Sequence, residues 1–118
     1  MAALTVQTVT AVGITPNAAV QITAWPAGDT VATAELGDRG VWAEVANTSG
    51  GSLDFRVNDS GATPAGNAAA NGYTTVTVPT ASSRLVWISK SNVDPAAGGA
   101  KVGASTTNAA FTVRLFRY

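Results

Sequence analysis

The residues able to do chemistry are few, and the missing types decide more than those present. The 118-residue chain has no cysteine and no histidine. It therefore offers no thiolate nucleophile and lacks the commonest general base and zinc ligand. Serines occur, but no histidine can activate one, and there is no G-x-S-x-G elbow. Ser89, Lys90 and Ser91 are adjacent, yet neighbours on a strand point to opposite faces. Lys90 reads as a solvated strand-end lysine. The acids are Asp29, Glu35, Asp38, Glu44, Asp54, Asp59 and Asp94. Glycoside hydrolysis needs two carboxyl groups about 5–9.5 Å apart in a cleft, whereas most of these fall in turn-like stretches, where Asp serves the local backbone. Asn58-Asp59-Ser60-Gly61 shares only a fragment of a calcium loop and lacks its terminal Glu. The expectation is a protein that is not an enzyme, with no cofactor and no metal site.

The tryptophans are the remaining candidates. Trp87 lies in Leu85-Val86-Trp87-Ile88, apolar on both faces, and reads as core. Trp42 shares a face with Glu44, opposite Val41 and Val45, and reads as outward. Trp25 precedes Pro26 at a strand end. Tryptophan is seldom fully buried and is enriched at binding hot spots, so Trp25 and Trp42 read either as the rim of the core or as partner contacts, a carbohydrate platform among them.

These residues sit on short strands. Leu53–Asn58 alternates most cleanly, with Leu53, Phe55 and Val57 inward. Val41–Ala46 alternates as well, and Asn47–Gly51 reads as a hairpin loop between the two. Tyr73–Ser89 reads as strand, corner, strand, with Pro79 ending the first pairing. A strand with two apolar faces must be covered on both, by its own domain or by another subunit. Thr30–Leu36 is ambiguous between strand and helical turn. Leu4–Ile14 is extended, and its alternation slips between Val6 and Val9, as at a bulge or where an arm changes partners. Asp59–Gly72 is a loop of small residues, Asn92–Ala104 holds a short strand at Lys101-Val102, and Ala110–Tyr118 closes the chain with Phe111, Val113 and Leu115 on one face. Many short strands joined by Gly/Pro/Asn loops indicate an all-β fold, a single-domain antiparallel β-sandwich or jelly-roll-like barrel. Residues 1–15 form an N-terminal arm or edge strand, and residues 16–118 the sandwich.

Seven basic and seven acidic residues cancel, so nothing steers the chain to nucleic acid or an anionic membrane. No stretch approaches the roughly 18 apolar residues of a membrane helix, and the first residues lack the basic region of an export signal. Charged residues make up 12% of the chain, about half the usual share of roughly 25%. Such a surface suits a subunit covered by neighbours.

The order of TVTAVGITPN, AGDT, VWAEVANTSGGSLDFRV, TTVTVPTASSRLVWIS, VDPAAGGAKV and FTVRLFR resembles that of small virion-associated proteins of tailed bacteriophages encoded near the major capsid gene. The departure lies at residues 30–40, where VATAELGDRG stands in place of a short Pro-Asn-Asp-Gly turn. The resemblance implies a capsid decoration (cement) protein on the outer surface of the virion head, made in the host cytoplasm and not secreted. Its partners would be the major capsid protein and its own copies, a trimer ahead of a dimer, without direct contact to nucleic acid or membrane. A head–tail joining, tail or head-fibre component is the alternative within the virion; a lectin-like sandwich using Trp25 and Trp42 is the alternative outside it. The residues expected at assembly contacts are Leu4, Val6, Val9, Trp25, Trp42, Val86, Ile88, Phe116 and Tyr118.

Overall fold

Two antiparallel-rich sheets face each other across an apolar core. The computed structural model describes residues 2–10, 12–59, 72–94 and 97–117. In chain order the strands are β1 (Ala2–Ala3), β2 (Val6–Thr8), β3 (Val20–Gln21), β4 (Asp29–Ala32), β5 (Val41–Asn47), β6 (Leu53–Asn58), β7 (Tyr73–Val78), β8 (Ser82–Ile88), β9 (Val93–Asp94), β10 (Gly99–Ala104) and β11 (Phe111–Arg117). The first sheet runs β1-β4-β10-β6-β7, with β9 also on β10; the second runs β2-β11-β5-β8, with β3 also on β11. The expected β-sandwich is the observed architecture.

The alternation read from the sequence sets the core. Phe55 and Val57 of β6, Val41, Ala43 and Val45 of β5, and Phe111, Val113 and Leu115 of β11 are all buried. They interleave with Ile22, Val31, Leu36, Val78, Ile88 and Val102. The ambiguous Thr30–Leu36 divides in two: β4 ends at Ala32 and a helical turn, α1 (Thr33–Leu36), follows at once. The turn drops Leu36 into the core. The short strand expected at Lys101-Val102 is the six-residue β10, set between β4 and β6. Its glycines hid it. A Cβ on Gly99 would lie 2.1 Å from the Val31 carbonyl oxygen, and one on Gly103 would meet Trp25.

Asn47–Gly51 is not a hairpin loop. β5 pairs with β8 and β11, whereas β6 pairs with β7 and β10, so the loop crosses between sheets. The β7–β8 corner crosses back. Asn47, fully buried, ties both crossings together. Its Nδ2 donates to the Gly51 and Val78 carbonyls, each at 2.9 Å, and its Oδ1 accepts from Ser49 N (2.9 Å) and Ser49 Oγ (2.6 Å).

The N-terminal stretch is an edge strand that changes sheets. Ala2–Ala3 run parallel to β4, and Val6–Thr8 run parallel to β11. Leu4 and Val6, at the crossing, are buried in this subunit's own core. Beyond it the chain swings out: Val12 is fully exposed, and β3 returns to the free half of β11. The loop read over Asp59–Gly72 falls largely on residues 60–71, outside the described residues.

Candidate assembly surface

The outer face of the second sheet concentrates exposed apolar side chains. On β5, Trp42, Glu44 and Ala46 point away from the core, and the register places a partner on each side. Phe116 and Trp87 flank Trp42, while Arg114 and Leu85 flank Glu44. Trp42 is 40% exposed, Trp87 55% and Leu85 66%; Phe116 is half-buried. An aromatic row, Phe116–Trp42–Trp87, thus crosses three strands with Leu85 beside it. The Glu44 carboxylate is met by Arg114 Nε at 2.9 Å, so the one pair of charges inside the patch is neutralised locally. The indole N–H of Trp87 donates to the Arg39 carbonyl at 2.8 Å. This satisfies the ring's polar edge and leaves its faces for contact. Beside Trp42 lies an open cleft of about 400 Å³, lined by Leu36, Asp38, Arg39 and Arg117 among others.

The first sheet is covered differently. The loop from Thr23 to Gly28 lies over its outer face, and Trp25 fills the space above Gly103. Lys101 Nζ lies 4.5 Å from the Trp25 ring, Trp25 meets Tyr73 edge-on at 5.2 Å, and the Arg56 guanidinium lies 4.5 Å from Tyr73. This alternation of cations and rings holds the loop to the sheet. Arg56 Nε is buried with no hydrogen-bond partner, and the charge rests on the ring instead. Asp29, buried below, accepts from Thr23 N at 2.9 Å and Thr23 Oγ1 at 2.7 Å, closing the same loop.

The expected contact residues therefore separate. Leu4, Val6 and Ile88 are buried within the subunit and present no surface, and Val86 is half-buried on the inward side of β8. Val9 is half-buried at the sheet edge, its N–H bonded to the Arg117 carbonyl. Trp25 is half-buried in the cation–ring stack. Trp42 and Phe116 share the outward face. Tyr118 lies outside the described residues. Trp25 and Trp42 stand over opposite outer faces of the sandwich, so they cannot form one carbohydrate platform. Trp87 was expected in the core and is exposed. The two apolar faces of β8 held the signal: Val86 and Ile88 take the inward face, and Leu85 and Trp87 the outward one.

The acids mostly serve local structure. Asp54 accepts from Thr77 Oγ1, Asp59 from Thr74 Oγ1, and Asp38 pairs with Lys90 at 3.0 Å. Ser89 and Asn92 cap the 3-10 turn Lys90–Asn92 that follows β8: Ser89 Oγ accepts from Ser91 N, and Asn92 Oδ1 accepts from Ser89 N at 3.0 Å. Among the described residues no group of three or more acids stands together, and no helix is long and apolar enough to cross a membrane. Comparisons with protein-family models, with curated proteins and with solved structures find no match.

Proposed function

We propose that this chain is a structural virion protein, a decoration protein that binds the outside of a tailed-phage head and stabilises it, without catalysis. The observation that carries the reading is the outward face of β5 and β8. Trp42, Leu85 and Trp87 are exposed side by side on a rigid sheet, in a chain with 12% charged residues and no net charge. Large apolar side chains exposed side by side, rather than scattered singly, are the kind of surface that marks a partner contact. Aromatic anchors on a preorganised sheet lose little entropy on docking. The partner is the major capsid protein, and Trp42 and Trp87 are the anchors.

The test is sedimentation of purified protein with expanded, undecorated phage heads. The expected result is saturable co-sedimentation that falls at least tenfold in affinity with Trp42→Ala, a hot-spot loss of about 1.4 kcal/mol or more. Absence of binding to such heads sinks the reading. Binding confined to one vertex, seen by imaging labelled protein, would move the protein to the head–tail junction.

A further inference from the structure

The same strand that carries Leu85 and Trp87 ends its sheet. Among the described residues no strand lies on the outer side of β8. Which of its backbone groups face outward follows from the ladder. The Phe111 carbonyl accepts from Ile22 N, and the Arg117 carbonyl from Val9 N. The odd residues of β11 therefore point away from β5 and the even ones toward it. Antiparallel pairs alternate between bonded and non-bonded. Trp42, Glu44 and Ala46 accordingly bond to β11, and Val41, Ala43, Val45 and Asn47 bond to β8. Ser82, Arg84, Val86 and Ile88 are thus satisfied by β5. Ser83, Leu85 and Trp87 hold their N–H and C=O groups out at the open edge. The Ser83 carbonyl accepts from its neighbour Arg84 Nη1 at 3.1 Å and keeps its second lone pair.

This edge complements itself. We infer that β8 pairs antiparallel with β8 of a second copy, about a two-fold axis at Leu85, and joins two sandwiches through one continuous sheet. Around that axis Leu85 exchanges both bonds with the partner's Leu85. Ser83 faces the partner's Trp87, and Trp87 the partner's Ser83. Every outward donor meets an outward acceptor, and no group is left over. A register shifted by one residue would bring outward groups against inward ones. The only charge on the strand, Arg84, falls opposite the partner's Val86. The two arginines stand on the diagonal, with Cα atoms about 7–8 Å apart, at an exposed corner. An extended strand open along one edge is a liability that proteins cover or blunt, and here a second copy is the cover. The other long terminal strand, β7, differs: its outward positions are Tyr73, Thr75 and Thr77, and no large apolar residue on it is exposed. The unit formed is a dimer, rather than the trimer expected from the sequence. It lays the two Trp42–Trp87–Leu85 faces side by side. The inference deepens the oligomer part of the decoration reading and does not depend on the capsid.

The test uses the purified full chain alone. Sedimentation velocity over a concentration series should give a species of twice the 11.8 kDa chain mass. Leu85→Lys and Leu85→Glu each place like charges directly opposite one another across the axis, and each should sediment as a single chain. Mixed in equal amounts, they should regain the doubled mass. If either variant fails to fold, amide exchange in the wild-type protein decides instead. The amides of Ser83, Leu85 and Trp87 should become protected as concentration rises, while those of Arg84 and Val86 are protected throughout. A single-chain mass at every concentration, a tripled mass, or a doubled mass with those three amides still open would each overturn the inference. So would a wild-type dimer whose two charged variants stay apart when mixed. A dimer that fails to bind phage heads leaves this inference standing and removes the capsid reading.

Discussion

Asn47 shows how much of this fold rests on one polar side chain. It is fully buried, yet both amide hydrogens and its carbonyl oxygen are used, and its partners lie on both loops that carry the chain between sheets. Asn47→Ala leaves the buried Val78 carbonyl and the partly buried Ser49 N without their partners. Each buried orphan costs about 1–3 kcal/mol, so urea unfolding should show a loss of about 2–4 kcal/mol with an unchanged slope. A loss under about 0.5 kcal/mol would mean that water replaces the amide. Leu85 is the opposite case. It is mostly exposed in the single subunit, so Leu85→Ser should move single-subunit stability by no more than about 0.5 kcal/mol. Arg114–Glu44, half-buried on the outer face, is a pair of the kind worth about 1 kcal/mol or less. Its role is to keep the patch free of unpaired charge.

At the scale of elements, the strands with a clean two-residue period were legible and those made of small residues were not. β5, β6 and β11 follow their alternation almost to the residue, because one face of each meets the core. β10 was nearly invisible. Both of its sides are crowded, so its sequence, Gly99-Ala100-Lys101-Val102-Gly103-Ala104, has little room for the β-branched residues that announce a strand. The crowding makes a prediction. Gly99→Ala puts a methyl group 2.1 Å from the Val31 carbonyl oxygen, whereas nothing lies within 4 Å of a Cβ at Gly50. Thermal melting should show a loss of about 1–3 kcal/mol for Gly99→Ala and almost none for Gly50→Ala; equal effects would refute the close approach. Gly40 carries a second constraint, since its φ of 75° adds strain to a Cβ that would lie 2.4 Å from the Ile88 carbonyl oxygen. The Asn47–Gly51 loop was misread because Gly-rich spacing signals a reversal of direction, while partner choice depends on which sheet has room. The sequence showed that β8 has two apolar faces. It could not show that one of them stays open, since that depends on whether a loop crosses it, as the Thr23–Gly28 loop crosses the first sheet.

For the molecule as a whole, the exposed surfaces divide by what they can bind. The first sheet's outer face is occupied by its own loop through Lys101, Trp25, Tyr73 and Arg56. The second sheet's face and the edge beside it have no occupant among the described residues. The edge offers backbone hydrogen bonds in the plane of the sheet, and the face offers apolar rings perpendicular to it. Self-pairing through the edge therefore leaves the face free and doubles it, and two linked faces bind a repeating lattice more tightly than one. Neither surface relies on net charge, since seven basic and seven acidic residues cancel. Screening lengths shorten from about 14 Å to about 4 Å between roughly 0.05 M and 0.5 M salt. Contacts steered by charge would weaken greatly over that range. Here the dissociation constants of the dimer and of head binding should change less than about threefold, below 0.7 kcal/mol, and added sulfate should strengthen both by favouring apolar burial. A steep fall with sodium chloride, measured by sedimentation at fixed protein concentration, would transfer the binding from the Trp42–Trp87 face to the charged rim of Arg39, Lys90 and Arg117. Alanine substitutions at those three residues would then abolish the salt dependence, and Trp42→Ala would not.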